Sequence, residues 1–197
     1  MNGSLLDIER FDAPGADIEL HHDAIQEADR LFDLLLANTP WQQQEITVFN
    51  RQMPMPRLTC WMGDAAYTYS NLKNEPTPWS SSVLEIRDQI TAMTKQVFNG
   101  VLLNLYRNGQ DSMGWHADNE ASLGPQPLIL SVNLGATRRM RFKPRKGRPG
   151  DAFGFDLPHG SVLLMQGKTQ ENWLHKITKT AKPVGPRINL TFRTVVS

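Results

Sequence analysis

The sequence predicts a mainly β fold, a double-stranded β-helix (jelly roll) buttressed by two helices. From Val101 onward nearly all of the chain is short alternating or β-rich runs separated by turns: VLLNLY, LILSVNLG, RMRFKP, AFGFDL, SVLLMQG, HKITKT and RINLTFRTVV. Upstream, two stretches carry the helical spacing of apolar residues. Many short strands after two helices fit two packed sheets with the helices laid against one of them. At 197 residues one domain is expected. Within it we distinguish an arm over residues 1–20, a helical support over 21–100 and the jelly-roll core over 101–197.

Taken in order, residues 1–20 read as an irregular arm or short edge strands. Asp23, with Gln26 three residues on, is placed to cap a first helix, in which Ala24, Ala28, Leu31, Phe32 and Leu35 form the apolar stripe. Asn38 and Pro40 end it. EITVF at 45–49 reads as a strand, and Met53-Pro54-Met55-Pro56 breaks it or forms a loop. A proline-rich loop at 76–79 leads to a second helix with Ser82 and Glu85 as its capping box. Val83, Ile86, Ile90, Met93 and Val97 are expected on its buried face, with Asn99-Gly100 closing it. Turns follow at Asn108-Gly109, at 147–150 and at Pro158-His159-Gly160.

Composition narrows the function classes. Hydrophobic content of 40% and charged content of 21% are ordinary for a soluble globular protein. No apolar run approaches the ~20 residues that cross a bilayer, so no membrane association is expected. The first residues lack the basic and apolar regions of a secretory signal. Cys60 is the only cysteine, which excludes an intrachain disulfide and fits a reducing cytoplasm. Nothing demands more than a monomer. Net charge is only +1, yet residues 1–45 hold ten acids against Arg10 and Arg30. The excess of base over the remainder suggests a polyanion-binding face.

The chemistry begins at His116-Ala117-Asp118. Strand side chains alternate, so His116 and Asp118 project to one side and can share a metal ion. A second histidine would complete a two-His-one-carboxylate set that leaves positions open on non-haem Fe(II). His21 and His22, in the acidic N-terminal region, are expected in solvent. His159 sits in a Pro-His-Gly turn, where serving the turn is the commoner role. His175 opens a late strand, and its long separation from Asp118 is what a β-sandwich needs to bring a distant strand back.

In 187–193, RINLTFR, Arg187, Asn189, Thr191 and Arg193 share one face and Ile188, Leu190 and Phe192 the other. Two arginines on an inward face would be costly without an anion, and a dicarboxylate supplies one bidentately. An outward polar face is the plainer alternative. Seven basic residues fall within eleven positions, at Arg138, Arg139, Arg141, Lys143, Arg145, Lys146 and Arg148. Arg139, Arg141, Lys143 and Arg145 line one strand face, a candidate contact to a nucleic-acid backbone that Arg138 extends, although a solvated hairpin has the same pattern.

NLY, HAD, a lone His and RINLTFR, in that order and at these intervals, resemble the AlkB family of Fe(II)- and 2-oxoglutarate-dependent dioxygenases. The match spans about residues 48–195, and GDAAYTYS (63–70), YRNGQDSMGWHADNE (106–120) and LPHGSVLLM (157–165) are most similar to members that repair alkylated DNA. The resemblance implies that His116, Asp118 and His175 hold iron. It implies that Arg187, helped by Tyr106 and Asn104, binds the distal carboxylate of 2-oxoglutarate, with Arg193 near the metal-chelated end and Asn189 supporting it. O2 would be reduced as 2-oxoglutarate becomes succinate and CO2, and an N-methyl group would leave as formaldehyde. The partner implied is DNA carrying alkylated bases, single- or double-stranded, with RNA as an alternative, or a nucleic-acid-binding role on an inactive scaffold.

A base inside a duplex must be flipped to reach such a site. The resemblance places a nucleotide-recognition lid within 21–100. Tyr67 and Tyr69, on one strand face, are candidates for the pocket wall and Trp61 for the lid. Glu120 matches an acid that contacts the exocyclic amine of the base, while Asn119 departs from the usual second acid. Phe49 resembles a hydrophobic finger that fills the gap left by a flipped base.

Overall fold

The structure, a computed structural model, describes residues 7–48, 51–64, 67–69 and 72–196. Two edge strands, β1 (Ile8–Phe11) and β2 (Asp17–His21), precede helix α1 (Ala28–Asn38), and β3 (Glu45–Val48) and β4 (Arg51–Pro54) make a ladder of their own. Then come β5 (Leu58–Gly63), the pair β6 (Tyr67–Tyr69) and β7 (Leu72–Asn74), and helix α2 (Ser81–Thr94). The strand-rich half supplies β8 (Gly100–Tyr106), β9 (Met113–His116), β10 (Ile129–Gly135), β11 (Arg138–Pro144), β12 (Phe153–Leu157) and β13 (Val162–Gln166). A one-turn helix α3 (Thr169–Asn172), β14 (Trp173–Ile177) and β15 (Arg187–Arg193) complete it.

Two antiparallel sheets face each other. The larger has the order β1-β2-β13-β10-β15-β8-β5 and the smaller β12-β11-β14-β9. The larger sheet therefore takes strands from all three segments distinguished in the sequence, and residues 8–21 are an integral sheet edge. Side-chain alternation gives it two faces. Val101, Leu103 and Leu105 of β8, Leu130, Val132 and Leu134 of β10, and Ile188, Leu190 and Phe192 of β15 pack with Leu31 and Leu35 of α1 and with Val83, Ile86 and Ile90 of α2. On the inner face Leu20, Leu102, Ile129, Leu163 and Met165 meet Met140, Phe142, Phe155 and Trp173 from the smaller sheet. Phe11, Phe142, Phe153 and Phe155 form a stacked aromatic cluster there, with centroids as close as 3.9 Å.

Both helices start elsewhere than the sequence suggests. Asp23 lies in a left-handed conformation (φ 46°) and α1 begins at Ala28, because the amides of Ala24 and Ile25 donate to the Gly160 carbonyl at 2.9 and 3.0 Å. Ser80, not Ser82, caps α2, accepting from the Val83 amide at 3.4 Å. That helix turns out at Lys95, so Val97 is 74% exposed instead of buried. Residues 51–54 continue as a strand through Pro54, which is tolerable in a two-stranded ladder. His21, expected in solvent, is buried with Nε2 3.1 Å from Glu19 Oε2.

Candidate metal and dicarboxylate site

The cleft between the sheets is polar where β8, β10 and β15 present their inner faces. Register sets Arg187 opposite Tyr106, Asn189 opposite both Asn104 and Asn133, and Thr191 opposite Ser131. The inward polar face read from RINLTFR is therefore present. Arg187, Asn189, Thr191 and Arg193 are all buried. Asn189 is pinned as its Nδ2 donates to Ser131 Oγ (2.7 Å) and the Val132 carbonyl (3.0 Å), while its Oδ1 accepts from Thr191 (3.1 Å).

From the smaller sheet β9 and β14 bring His116 and His175 into direct register. Ligand atoms of His116, Asp118 and His175 lie within 4.8 Å of one another, and the imidazole centroids are 4.2 Å apart. The His116 Nδ1–H donates to the Gly114 carbonyl (2.9 Å), since a carbonyl can only accept, which leaves the Nε2 lone pair for a metal. Burial, with His175 beside it, lowers the His116 pKa to about 3, so the ring is neutral near pH 7. Burial would raise the pKa of Asp118, but Arg193, whose Nη2 is 2.6 Å from Oδ1, and the two imidazoles outweigh it and hold the carboxylate ionised. The other oxygen, Oδ2, is 3.5 Å from His175 Nε2. Two imidazoles and one carboxylate on one side of a cleft are a donor set for a divalent transition metal.

Deeper in, Arg187 is 1% exposed. Its Nη2 donates to Asn133 Oδ1 (2.6 Å), yet Nε and Nη1, both buried, have no hydrogen-bond partner among the described residues. Tyr106 lies 5.0 Å beneath the guanidinium and 5.7 Å from that of Arg138. Burial lowers the Arg187 pKa to about 10, so it stays charged under ordinary conditions. A buried guanidinium with two unused N–H groups fits a carboxylate of a bound acid.

Other predicted residues sit differently. Arg138 is only 2% exposed and donates to the carbonyls of Asn108 (3.0 Å), Asp111 (2.8 Å) and Thr178 (2.6 Å), so it ties loops together and does not face a nucleic acid. It shares the inner face with Met140 and Phe142. Arg139 and Arg141 are exposed on the other face, Lys143 is half-buried there, and Arg145 spans to the Gln170 carbonyl (3.2 Å). Trp61 is a core side chain, 4% exposed and lying so close over Gly100 that a Cβ there would meet its ring at 2.4 Å, which removes it from the lid. Tyr67 and Tyr69 are on β6, in register with Asn74 and Leu72. Glu120 is half-buried just before a 3-10 turn at Ala121–Leu123, and Phe49 lies outside the described residues. His159 serves its turn, accepting from the Gly135 amide (2.7 Å).

Two site residues were missed in the sequence. Arg57, 3% exposed, donates to Asn104 Oδ1 (2.7 Å) and lines the cleft with the histidines. Gln170 of α3 accepts from the Asp118 amide (2.9 Å) and so fixes the carboxylate-bearing loop. A lone Arg after Met-Pro-Met-Pro and a Gln in KTQEN carry no signal until β5 is beside β8 and α3 beside β9.

Two facing antiparallel sheets, the His116–Asp118–His175 cluster between them and a buried guanidinium beside Tyr106 define a class, an oxygenase scaffold. The chain belongs to the 2OG-Fe(II) oxygenase superfamily, whose family description matches residues 18–193, and within it to the AlkB family. It is 43% identical over 179 residues to the alpha-ketoglutarate-dependent dioxygenase alkB homolog 3 of Bos taurus, an alignment covering 87% of this chain and 63% of that protein. It is 35% identical over 181 residues to the DNA oxidative demethylase ALKBH2 of Homo sapiens, covering 86% and 69%. The chain thus spans about 63% of the length of the alkB homolog 3 relatives. The solved structure of OsALKBH1 has the same fold, with a TM-score of 0.61 at 17% identity over 95% of this chain and 99% of that one.

Proposed function

We propose that the chain is an oxidative demethylase that uses Fe(II), 2-oxoglutarate and O2 to remove N-alkyl groups from DNA bases of the 1-methyladenine and 3-methylcytosine type, releasing succinate, CO2 and formaldehyde. The observation that carries it is a cleft lined by His116, Asp118 and His175 together with Tyr106, whose ring lies 5.0 Å from the buried Arg187 guanidinium with its unused Nε and Nη1. When bound, iron with its keto acid supplies the oxidation of the methyl group. His116 and His175 offer nitrogen donors, and Asp118 one anionic oxygen. Arg193 orients Asp118 through its other oxygen. Arg187, with Tyr106 beneath it and Asn104 on the neighbouring strand, takes the distal carboxylate. Asn189 keeps the floor of the cleft in place. The apolar inter-sheet core excludes water from behind the site. Arg139, Arg141, Lys143 and Arg145 are the proposed backbone contacts, Tyr67, Tyr69 and Glu120 the residues facing the base. The relatives named as DNA oxidative demethylases support DNA as the substrate.

The test is anaerobic loading with Fe(II) and 2-oxoglutarate, then O2 and an oligonucleotide bearing one methylated base, with a matched RNA strand in parallel. Succinate formation together with loss of one methylene mass from the DNA, both absent in His116→Ala, is the expected result. Succinate without that mass loss would reject this substrate, and demethylation of the RNA strand alone would move the activity to RNA. Neither signal from folded, iron-loaded protein would overturn the proposal.

A further inference from the structure

The face of the smaller sheet that points away from the metal has its own chemistry. On β9 and β14, His116 and His175 point into the cleft and their sequence neighbours Trp115 and Lys176 point out. Across the ladder Arg141 is in register with Lys176 and Lys143 with Leu174. The ammonium groups of Lys143 and Lys176 both lie over the Trp115 ring, 4.7 and 4.6 Å from its centroid. Arg141 is exposed beside them, while Trp115, Lys143 and Lys176 are half-buried. The acid on this face, Asp156, is engaged by Arg139 at 3.3 Å. Among the described residues no carboxylate is within ion-pair reach of Arg141, Lys143 or Lys176.

Two cations gathered on one indole, with no counter-charge among the described residues, are held by the ring's π-electrons against their mutual repulsion. A ligand that relieves this arrangement must bring anionic groups for the cations and a flat π-surface for the indole. An unpaired nucleotide strand offers both, with bases to stack and a phosphate beside each. Stacking of a base on an aromatic residue is worth more than an exposed cation–π contact, so a base can displace the ammonium groups, which then meet the flanking phosphates. A duplex cannot do this, because its bases already stack on one another.

We propose that this outer face is a second binding surface, specific for single-stranded nucleic acid, where a base stacks on Trp115 and Lys176, Lys143 and Arg141 take the neighbouring phosphates. Its ligand class rests on the nucleic-acid reading above, which it deepens by adding two strands to the basic run of β11 and by selecting unpaired over paired substrate. β9 is the edge of the smaller sheet, so one strand can pass round it from the cleft to the outer face.

The experiment is binding of a labelled, unmodified oligothymidylate to the full chain loaded anaerobically with Fe(II) and 2-oxoglutarate, followed by anisotropy over a salt series. Trp115→Ala is expected to weaken binding about tenfold and Trp115→Phe to keep most of it, since the phenyl ring still stacks. Lys176→Gln, a surface change that leaves the sheet intact, is expected to lower the salt slope by about 0.7. A matched duplex is expected to bind Trp115→Ala and the parent alike. Equal strand affinity of Trp115→Ala and the parent, equal losses in the Ala and Phe variants, or an unchanged slope in Lys176→Gln would each overturn the proposal. Turnover of a methylated base is measured alongside. Trp115-dependent strand binding without turnover would sink the demethylase reading alone, and turnover with strand binding indifferent to Trp115 would sink this one alone.

Discussion

Arg187 and Arg138 both lie close to the Tyr106 ring, at 5.0 and 5.7 Å from its centroid, and burial means opposite things for the two. Arg138 spends its donors on three backbone carbonyls, so it is structural. Arg138→Gln should cost about 2 kcal/mol or more in chemical denaturation, since bonds to a charged donor are lost from buried acceptors. Arg141→Gln, at an exposed residue with no ion pair among the described residues, should stay within about 0.5 kcal/mol of the parent. Equal stabilities for the two variants would refute this division. Arg187 holds two donors in reserve. Adding 2-oxoglutarate at about 100 times its Kd to iron-loaded, oxygen-free protein should stabilise it by about 2.7 kcal/mol, roughly 5–10 °C in Tm. Arg187→Met should abolish that rise, and a rise of the same size in the variant would place the dicarboxylate elsewhere. The inward face of β15 was legible because strand alternation has a period of two and RINLTFR obeys it without a break. The same rule, applied strictly, puts Arg138 with Met140 and Phe142 on the inner face, and counting charge along the run obscures that.

At the scale of elements, the site depends on connections that hold the strands in register. The turn between β8 and β9 is closed by Asp111, which accepts from the amide of Arg107 (2.9 Å) and from its Nε (2.8 Å) and Nη2 (2.9 Å). Burial would raise the pKa of Asp111, but these bonds and the charges of Arg107 and Arg138 lower it. A carboxylate with a lowered folded-state pKa adds stability above the ordinary aspartate value, about 3.9, and loses it as pH falls through the folded value. Asp111→Asn should therefore destabilise at pH 7 by about 1 kcal/mol, discounted because Arg107 is half exposed, and the gap should close on acidification below about pH 4. A gap that persists at low pH would show that shape and not charge holds the turn. Helices α1 and α2 were readable from their apolar spacing, but the start of α1 was not, because the Gly160 carbonyl takes amides beside Asp23, and α2 is capped by Ser80 two residues ahead of the Ser82 box. α3 has no amphipathic period at one turn in length, and its hold on Asp118 exists only in the folded chain.

Over the whole molecule, the larger sheet separates a helix-side core from an inter-sheet core, and His116, Asp118, His175 and Arg187 lie at the polar end of the second. Residues 8–21 contribute to that arrangement through sheet closure. β2 pairs with β13 along five residues and buries Ile18 and Leu20, and the loop before it accepts from Trp173 Nε1 at the Pro14 carbonyl (3.1 Å). Trp173 opens the strand that carries His175, so the N-terminal edge braces the sheet of His116 and His175 from outside. Deleting residues 1–21 should remove the burial of two large aliphatic side chains, about 1.5–3 kcal/mol each, and uncover the β13 edge. The expected outcome is a Tm lower by roughly 10 °C, given about 2–4 °C per kcal/mol at this size, together with concentration-dependent association in light scattering. Addition of 2-oxoglutarate and iron should recover part of the lost stability, because Arg187 and the triad are untouched by the deletion. A truncated chain that stays monomeric at the parent's Tm would make residues 1–21 an appendage and leave β13 as the true edge of the fold.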